Sequence, residues 1–499
     1  MFAESRMDHK IEDAQEALAR LQQWVGEAAE TGTAFHEVER HLFRTLLEIG
    51  RLLVGRFLTL TGPGDVGESL VLDGVGQVRR WPEQQCRRLV SVFGEFENPR
   101  YVYGTRPGQK IQWVPTDQRL RLPQSDLSYL LQEWDQLLGV EHAFASVAET
   151  LGSILGLNQS VDTLERGNQQ MAQSAPGFRE QQPVPSPEQE KQLLVVSEDN
   201  KGVPMVRPTT ATPPGIHRKK GEKANKKQMA CIGCVYTVDP HPRTPEELVA
   251  ILFREAPRPE QSPPTAAQKR YRVSLSREEK GEPIRAQEEV FEQLSQEIQA
   301  RRKPGQILLH LCDGQHSLET DGRKYLPADT VDILDLMHVL PRLWEAAHLF
   351  HAEGSDKATA FMRERLLGIL TGGLSRVIGF MRGLGTRKKL TGDRRKRLDR
   401  LCEYLAKNRH RMHYDQYLKA GYPIATGVIE GACRHVIKDR MERAGMRWKV
   451  PGAQAMLQLR VIRIHGDWRA FQEYRVEQEA LRLYPHADAT QNIPWPIAA

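Results

Sequence analysis

Three acids stand out for their positions at the ends of apolar runs. Asp199 closes the run LLVVSED, with Gly202 three residues on, and Asp313 closes QILLHLCDG, 313 − 199 = 114 residues later. Glu430 lies in YPIATGVIEGACRHVIKDRMERAGMRW, in the first turn of a helix expected to start at Gly427, and 430 − 313 = 117 residues further along. A carboxylate at a strand end projects into a cleft, and three of them offer the oxygen ligands that hard divalent ions such as Mg²⁺ or Mn²⁺ require. Two such ions about 3.5–4 Å apart activate a water or a 3′-hydroxyl for in-line attack on a phosphodiester. Glu198 is an alternative to Asp199, because strand alternation sends adjacent side chains to opposite faces. Asp335 is an alternative second acid, since DILDLMH also reads as a strand ending in acids. His338 alone reads as a satisfied structural histidine.

Cations accompany the third acid. Arg434, His435, Lys438, Arg440 and Arg443 put a basic face on the expected helix, with Arg447 and Trp448 close behind in GMRW. Such a face grips phosphates, and a tryptophan stacks on an extruded base; a solvated helix face and a core tryptophan are the competing readings. Further basic runs occur at His217–Lys227, Arg387–Arg400 and Lys407–Arg411, and the net charge is +6. DNA is therefore a suitable partner.

The elements that must position these residues fall into blocks. Helical spacing runs from Ile11 to Leu58 in two amphipathic helices that suit packing or dimerisation. The stretch Ser91–Pro115 reads as a small antiparallel β element. Ala148–Gln170 has the outline of a helix-turn-helix, with a break at Gly156 to Asn158 and a polar helix from Ser160 or Val161; an ordinary helical hairpin has the same outline. SAPGFREQQPVPSPE reads as a linker. KQLLVV, QMACIGCVYTV and QILLHLC read as buried strands, with helical patterns between them, which predicts an α/β core. Cys231 and Cys234 form a CxxC without the two further ligands a zinc site needs, and read as apolar thiols of a strand.

The chain has 499 residues, 39% hydrophobic and 27% charged, which is ordinary for a globular protein of roughly three folded units. No apolar run approaches the ~18 residues of a membrane span, and the N-terminus lacks the apolar core of a signal peptide, so a cytoplasmic location is expected.

EDNKGVPM, CDGQHSLE, VDILDLMHVLPRLWEAAHLFH and above all ATGVIEGACRHVIKDRMERAGMRW resemble the bacterial insertion-sequence transposases of the Kra type, which belong to the DDE enzymes with an RNase H-like catalytic domain. The resemblance spans about Lys191 to Trp448. It implies that Asp199, Asp313 and Glu430 are the catalytic and metal-binding acids, although the family's first acid commonly precedes a glycine where this chain has Asn200. It also implies that Asp335 and His338 form a DxxH signature that shapes the site or contacts DNA, and that Arg434, His435, Lys438, Arg440, Arg447 and Trp448 face DNA. The expected fold is an α/β, RNase H-like mixed sheet with an all-helical insertion, behind a mainly helical N-terminal DNA-binding region. The expected boundaries are 1–173 for that region, 174–190 for the linker, 191–347 and 422–475 for the catalytic domain, 348–421 for the insertion and 476–499 for a tail. The implied activity is metal-dependent cleavage and strand transfer at element ends, by at least a dimer on DNA and with two Mg²⁺ or Mn²⁺ ions per site. A stand-alone nuclease and a catalytically silent DNA-binding protein are the alternatives.

Overall fold

The computed structural model describes residues 9–72, 76–108, 110–206, 227–255, 263–443 and 445–485. The basic run at 217–227 lies outside them apart from Lys227. Two compact units are present: the described residues of Met1–Phe178 with those of Asp467–Ala499, and those of Arg179–Gly466. No described helix is long and apolar enough to cross a membrane.

The first unit opens with helices His9–Thr31 and Phe35–Thr61, which pack through Ala17, Leu21 and Ile49. A hairpin of Gln85–Ser91 with Gly94–Arg100 and a small sheet cored by Leu72, Val78, Tyr103 and Trp113 follow, so the β element begins earlier than expected. The helix-turn-helix outline holds as local structure. Helix α1 (Phe144–Leu155) stops at Gly156, which takes the left-handed conformation that favours glycine. Helix α2 (Val161–Ala172) starts where the Ser160 hydroxyl accepts the Thr163 amide. Its buried side is held by Gln136, which donates to the Leu164 carbonyl at 3.0 Å and accepts from Asn168 at 2.9 Å.

The helix Trp468–Leu483 belongs to this first unit, not to the catalytic domain and tail expected of 422–475 and 476–499. Its Arg475 is buried, donates to Gln132 at 2.9 Å and lies over the Tyr129 ring, while Phe471 meets Phe178 edge-on at 5.4 Å. The expected linker 174–190 begins with a helix, Ala175–Gln181, whose Ala175 and Phe178 are buried.

The second unit is built on five strands, β1 (Leu193–Pro204), β2 (Lys227–Val238), β3 (Ala267–Leu275), β4 (Ile307–Cys312) and β5 (Val331–Leu334), in the order β5-β4-β1-β2-β3. β1, β2 and β3 pair antiparallel, whereas β4 and β5 run parallel to β1. This mixed sheet, with helices on it, is an RNase H-like fold. β3 escaped the sequence reading, although Tyr271, Val273 and Leu275 alternate at the strand period in AQKRYRVSL. Cys231 and Cys234 are buried in β2.

Helices α3 (Ala286–Arg301) and α4 (His316–Tyr325) cover one face of the sheet, packing Val290, Phe291, Leu294, Ile298 and Leu318 on Leu194, Val196, Cys231 and Leu308. After β5 come α5 (Leu336–Phe350), four helices of the insertion (Asp356–Leu370, Leu374–Arg387, Gly392–Lys407 and Tyr414–Ala420), α6 (Gly427–Ala432) and α7 (Val450–His465). α7 packs along β3, and its Gln454 accepts the Leu275 amide at 2.8 Å.

One carboxyl of the first unit carries a pH signature. Asp135 is 1% exposed, and burial pushes its pKa up to about 7 against a single hydrogen bond from Gln159. Its folded pKa lies above the unfolded value, so stability is fully present below about pH 4 and declines as pH rises towards about 7, by up to roughly 4 kcal/mol. Asp135→Asn keeps an acceptor for Gln159 and removes the charge. Urea unfolding at pH 4.5 and pH 8 should show this variant gaining on the wild type at the higher pH.

Candidate functional site: an acidic cluster where the parallel strands end

The registers of the parallel strands decide where the acids fall. The last paired residues of β1 and β4 are Val196 and His310, and Asp199 and Asp313 lie three residues beyond them. Between β4 and β5 the last pair is Cys312 with Leu334, and Asp313 and Asp335 lie one residue beyond. Parallel strands rise equally per residue, so three neighbouring strands bring three aspartates to one level. Side-chain alternation separates Glu198 from Asp199. Glu198 turns into the face covered by α3 and α4, where it is 2% exposed, whereas Asp199 is half-buried and lies beside the Cys433 thiol. Burial and that carboxylate push Cys433 up to about 12.

Asp313 sits in a tight loop. Its Oδ1 accepts the Gln315 amide at 2.6 Å, and a side chain at Gly314 would strike the Tyr404 ring, which the insertion brings against the loop. Beneath it, the Arg411 guanidinium is fully buried and donates to the Cys312 sulfur at 3.2 Å and to the Asp313 carbonyl at 3.4 Å. Arg411 was expected among phosphate-tracking cations, and it is instead a strut between the insertion and the second acid. Burial raises the Asp313 pKa, and the Asp199 carboxylate adds to the rise, while Gln315, His338 and Arg411 oppose it.

Asp335 has its oxygens committed to protein partners. Oδ1 accepts the Met337 amide at 2.7 Å and caps α5, and Oδ2 accepts the Thr426 hydroxyl at 2.5 Å. Thr426 precedes α6, so this acid anchors the turn that delivers Glu430. Glu430 is exposed, on a helix packed against β1 and β2. The ligating atoms of Asp335, His338 and Glu430 lie within 4.8 Å of one another. His338 is raised above its ordinary pKa first by Asp335, whose Oδ2 lies 3.6 Å from its Nδ1, and further by the Asp313 and Glu430 charges, against burial. Asp199, Asp313, Asp335, His338 and Glu430 therefore form one electrostatic cluster.

The helix after Glu430 departs from the expected face. Cys433–Lys438 is a π-helical turn, and the residue it adds rotates everything beyond it. The widened turn is held by buried Arg460 of α7, which donates to the carbonyls of His435 and Val436. Arg434, His435, Lys438, Arg443 and Arg447 are exposed, but Ile437, Arg440 and Met441 are buried. Arg440 lies over the Trp448 ring at 4.9 Å, and the Trp448 indole is 8% exposed and donates to the Met441 carbonyl. The expectation that Arg440 and Trp448 face DNA is corrected: both are packed inside. Arg411 and Arg460 carry no sequence signal that separates them from surface cations, whereas Thr426 was visible as a hydroxyl residue before a helix start.

The donor set, carboxylates with one imidazole, fits hard divalent ions, and like charges that raise Asp313 are relieved by a bound cation. A cleft of about 790 Å³, lined by Lys191, Leu193, Gln306, Ile307 and Tyr422 among others, opens at the starting ends of β1 and β4 and shares no residue with the acids. Register and charge define the site.

An RNase H-like unit with an acidic cluster just beyond the parallel pairing of its strands is thus the class that fold and site describe. No protein-family description and no curated protein matches the chain. Among solved structures it is similar to a chain of the Drosophila P element transposase strand transfer complex, at 9% identity and a TM-score of 0.23, with 79% of this chain and 91% of that chain covered.

In the metal-free protein, the NMR titration midpoint of the His338 ring should lie above the ordinary histidine value of about 6.5 and fall in Glu430→Gln. A raised folded pKa means the stability His338 contributes is fully present below about pH 6.5 and is lost as pH rises through the folded value. A midpoint at or below 6.5 would show that the cluster does not share its charge.

Proposed function

We propose that this chain is a DDE-type DNA transposase of the Kra type that its motifs resemble. In this reading it binds the ends of a bacterial insertion sequence, cuts there and joins the 3′-hydroxyls to target DNA. The observation that carries the reading is the level placement of Asp199 and Asp313 on adjacent parallel strands, with Glu430 on the helix packed across β1. Asp199, Asp313 and Glu430 would hold Mg²⁺ or Mn²⁺, two ions per site, which when bound activate the attacking hydroxyl and neutralise the leaving oxygen. Asp335 fixes the turn before α6 through Thr426, and His338 shares the cluster's charge. Arg434, His435, Lys438 and Arg447 are exposed beyond Glu430, where they suit the phosphates of double-stranded DNA. The exposed cations of the insertion extend the same role, and paired ends call for at least a dimer on DNA in the cytoplasm.

Purified full-length protein, incubated with duplexes carrying the element's ends, tests this. Asp199→Ala, Asp313→Ala and Glu430→Ala should each abolish Mg²⁺-dependent end cleavage while retaining DNA binding, and chelation should abolish wild-type cleavage. Cleavage without joining would make the protein a nuclease, and no metal-dependent cleavage would make it a silent binder. Separately, Arg434→Ala, Lys438→Ala or Arg447→Ala should weaken binding to all sequences alike and lower the slope of log affinity against log salt by about one each. An unchanged slope would remove that residue from the interface.

A further inference from the structure

Behind the acids, on the face covered by α3 and α4, runs a chain of side chains that the proposed chemistry does not use. His310 of β4 is fully buried; its Nε2 is 2.6 Å from Oε1 of Glu198 on β1, and its Nδ1 is 2.7 Å from Oδ1 of Asp332 on β5. Each member stands just before an aspartate of the cluster. Glu198 adjoins Asp199, His310 precedes Asp313 by three residues, and Asp332 precedes Asp335 by three. The ring is enclosed: α4 passes so close that a side chain at Gly322 would lie 2.5 Å from it, and Phe291 meets it edge-on at 6.1 Å.

Two observations make this more than core filling. The ladder between β1 and β4 ends at Val196 with His310, so no backbone pairing between these strands reaches the level of Asp199 and Asp313. Apolar side chains would fill the same space without burying ions, and Glu198 leaves Oε2 buried without a hydrogen-bond partner. What the trio adds is direction, because contacts at both ring nitrogens tie β4 to β1 at the last pair of those two strands, and to β5 two residues before their pairing ends. A second metal site is the wrong reading, although Glu198, His310 and Cys312 place ligating atoms within 4.8 Å of one another. Both ring nitrogens are engaged, and the Arg411 guanidinium lies 3.2 Å from the Cys312 sulfur. Burial opposes a charge on the ring, but Cys312, Glu198 and Asp332 outweigh it and hold His310 well above its ordinary pKa.

We propose that Glu198, His310 and Asp332 form a three-strand clamp that sets the spacing and level of Asp199 and Asp313, and thereby the affinity of the acid cluster for divalent ions. They are positioning residues and do not ligate. The proposal rests on the reading that Asp199 and Asp313 hold the ions.

The test measures Mn²⁺ binding to the full-length protein by the loss of the free-ion electron paramagnetic resonance signal, beside thermal melting and cleavage across a Mg²⁺ series. His310→Gln and Asp332→Ala should weaken Mn²⁺ binding about tenfold or more, as loss of groups that orient ligands does. The Mg²⁺ needed for half-maximal cleavage should rise in step, with the plateau rate near wild type. Asp332→Asn, which keeps an oxygen acceptor, should restore Mn²⁺ affinity towards wild type. Asp332→Ala removes the partly exposed end of the clamp and carries the test if His310→Gln does not fold. Folded variants with wild-type Mn²⁺ affinity, or a lowered melting temperature with unchanged affinity, would overturn the clamp. Wild-type protein that binds no Mn²⁺, or Asp199→Ala and Asp313→Ala variants that bind it as well as wild type, would overturn the underlying reading instead.

Discussion

Everything about the acid cluster depends on the parallel register of β1, β4 and β5. Neighbouring strands lie about 4.8 Å apart, and at an effective dielectric near 20 two carboxylates at that separation repel by about 3 kcal/mol. A chain that brings Asp199 and Asp313 to one level therefore works against folding at that spot. The sheet must be held by something other than the acids. The apolar layer of Val290, Phe291, Leu294 and Ile298 on Leu194, Val196 and Leu308 supplies that hold from one side. The other side stays polar enough to keep Asp199 and Asp313 half-buried.

The same strands serve two tasks through adjacent residues. Glu198 and Cys312 turn into the core, and Asp199 and Asp313 take the opposite face. Around the second acid the insertion reaches back, with Tyr404 against Gly314 and Arg411 under the Asp313 carbonyl. Around the third acid, Asp335 holds Thr426 and Arg460 holds the π-helical turn. The second and third acids are thus each held by residues remote in sequence, and a change in the insertion acts on the cluster through Arg411 without touching a carboxylate.

Much of this was legible in the sequence. Apolar runs ending in an acid located Asp199 and Asp313, because a buried strand has a composition that survives translation into letters. The choice between Asp199 and Glu198 was not legible: β1 continues past both to Pro204 instead of ending at the acid, and only the helices on one face decide which of the two is buried. Asp335 and Asp313 read alike in the sequence; the structure adds hydrogen bonds from Met337 and Thr426 to the former and leaves both in one cluster. Arg411 and Arg440 were misplaced for a common reason, while for Trp448 the core reading holds over the DNA-facing one. Charge patterns read as surface, and neither the π-helical turn nor the fold of the insertion onto β4 leaves a periodic mark. β3 was missed because AQKRYRVSL carries three cations on a short strand.

The first unit is discontinuous: Trp468–Leu483 completes it, with Arg475 bonded to Gln132 and Tyr484 to the Leu122 carbonyl. The whole RNase H-like unit is thus an excursion in the sequence between two halves of another. Synthesis at about 5–20 residues per second leaves the N-terminal half waiting for its closing helix until the whole of the second unit has emerged from the ribosome. The five-stranded sheet can assemble before the unit that brackets it in sequence does. A message broken shortly before codon 467 would yield a product in which the acids of the cluster are present while the N-terminal unit lacks its last helix.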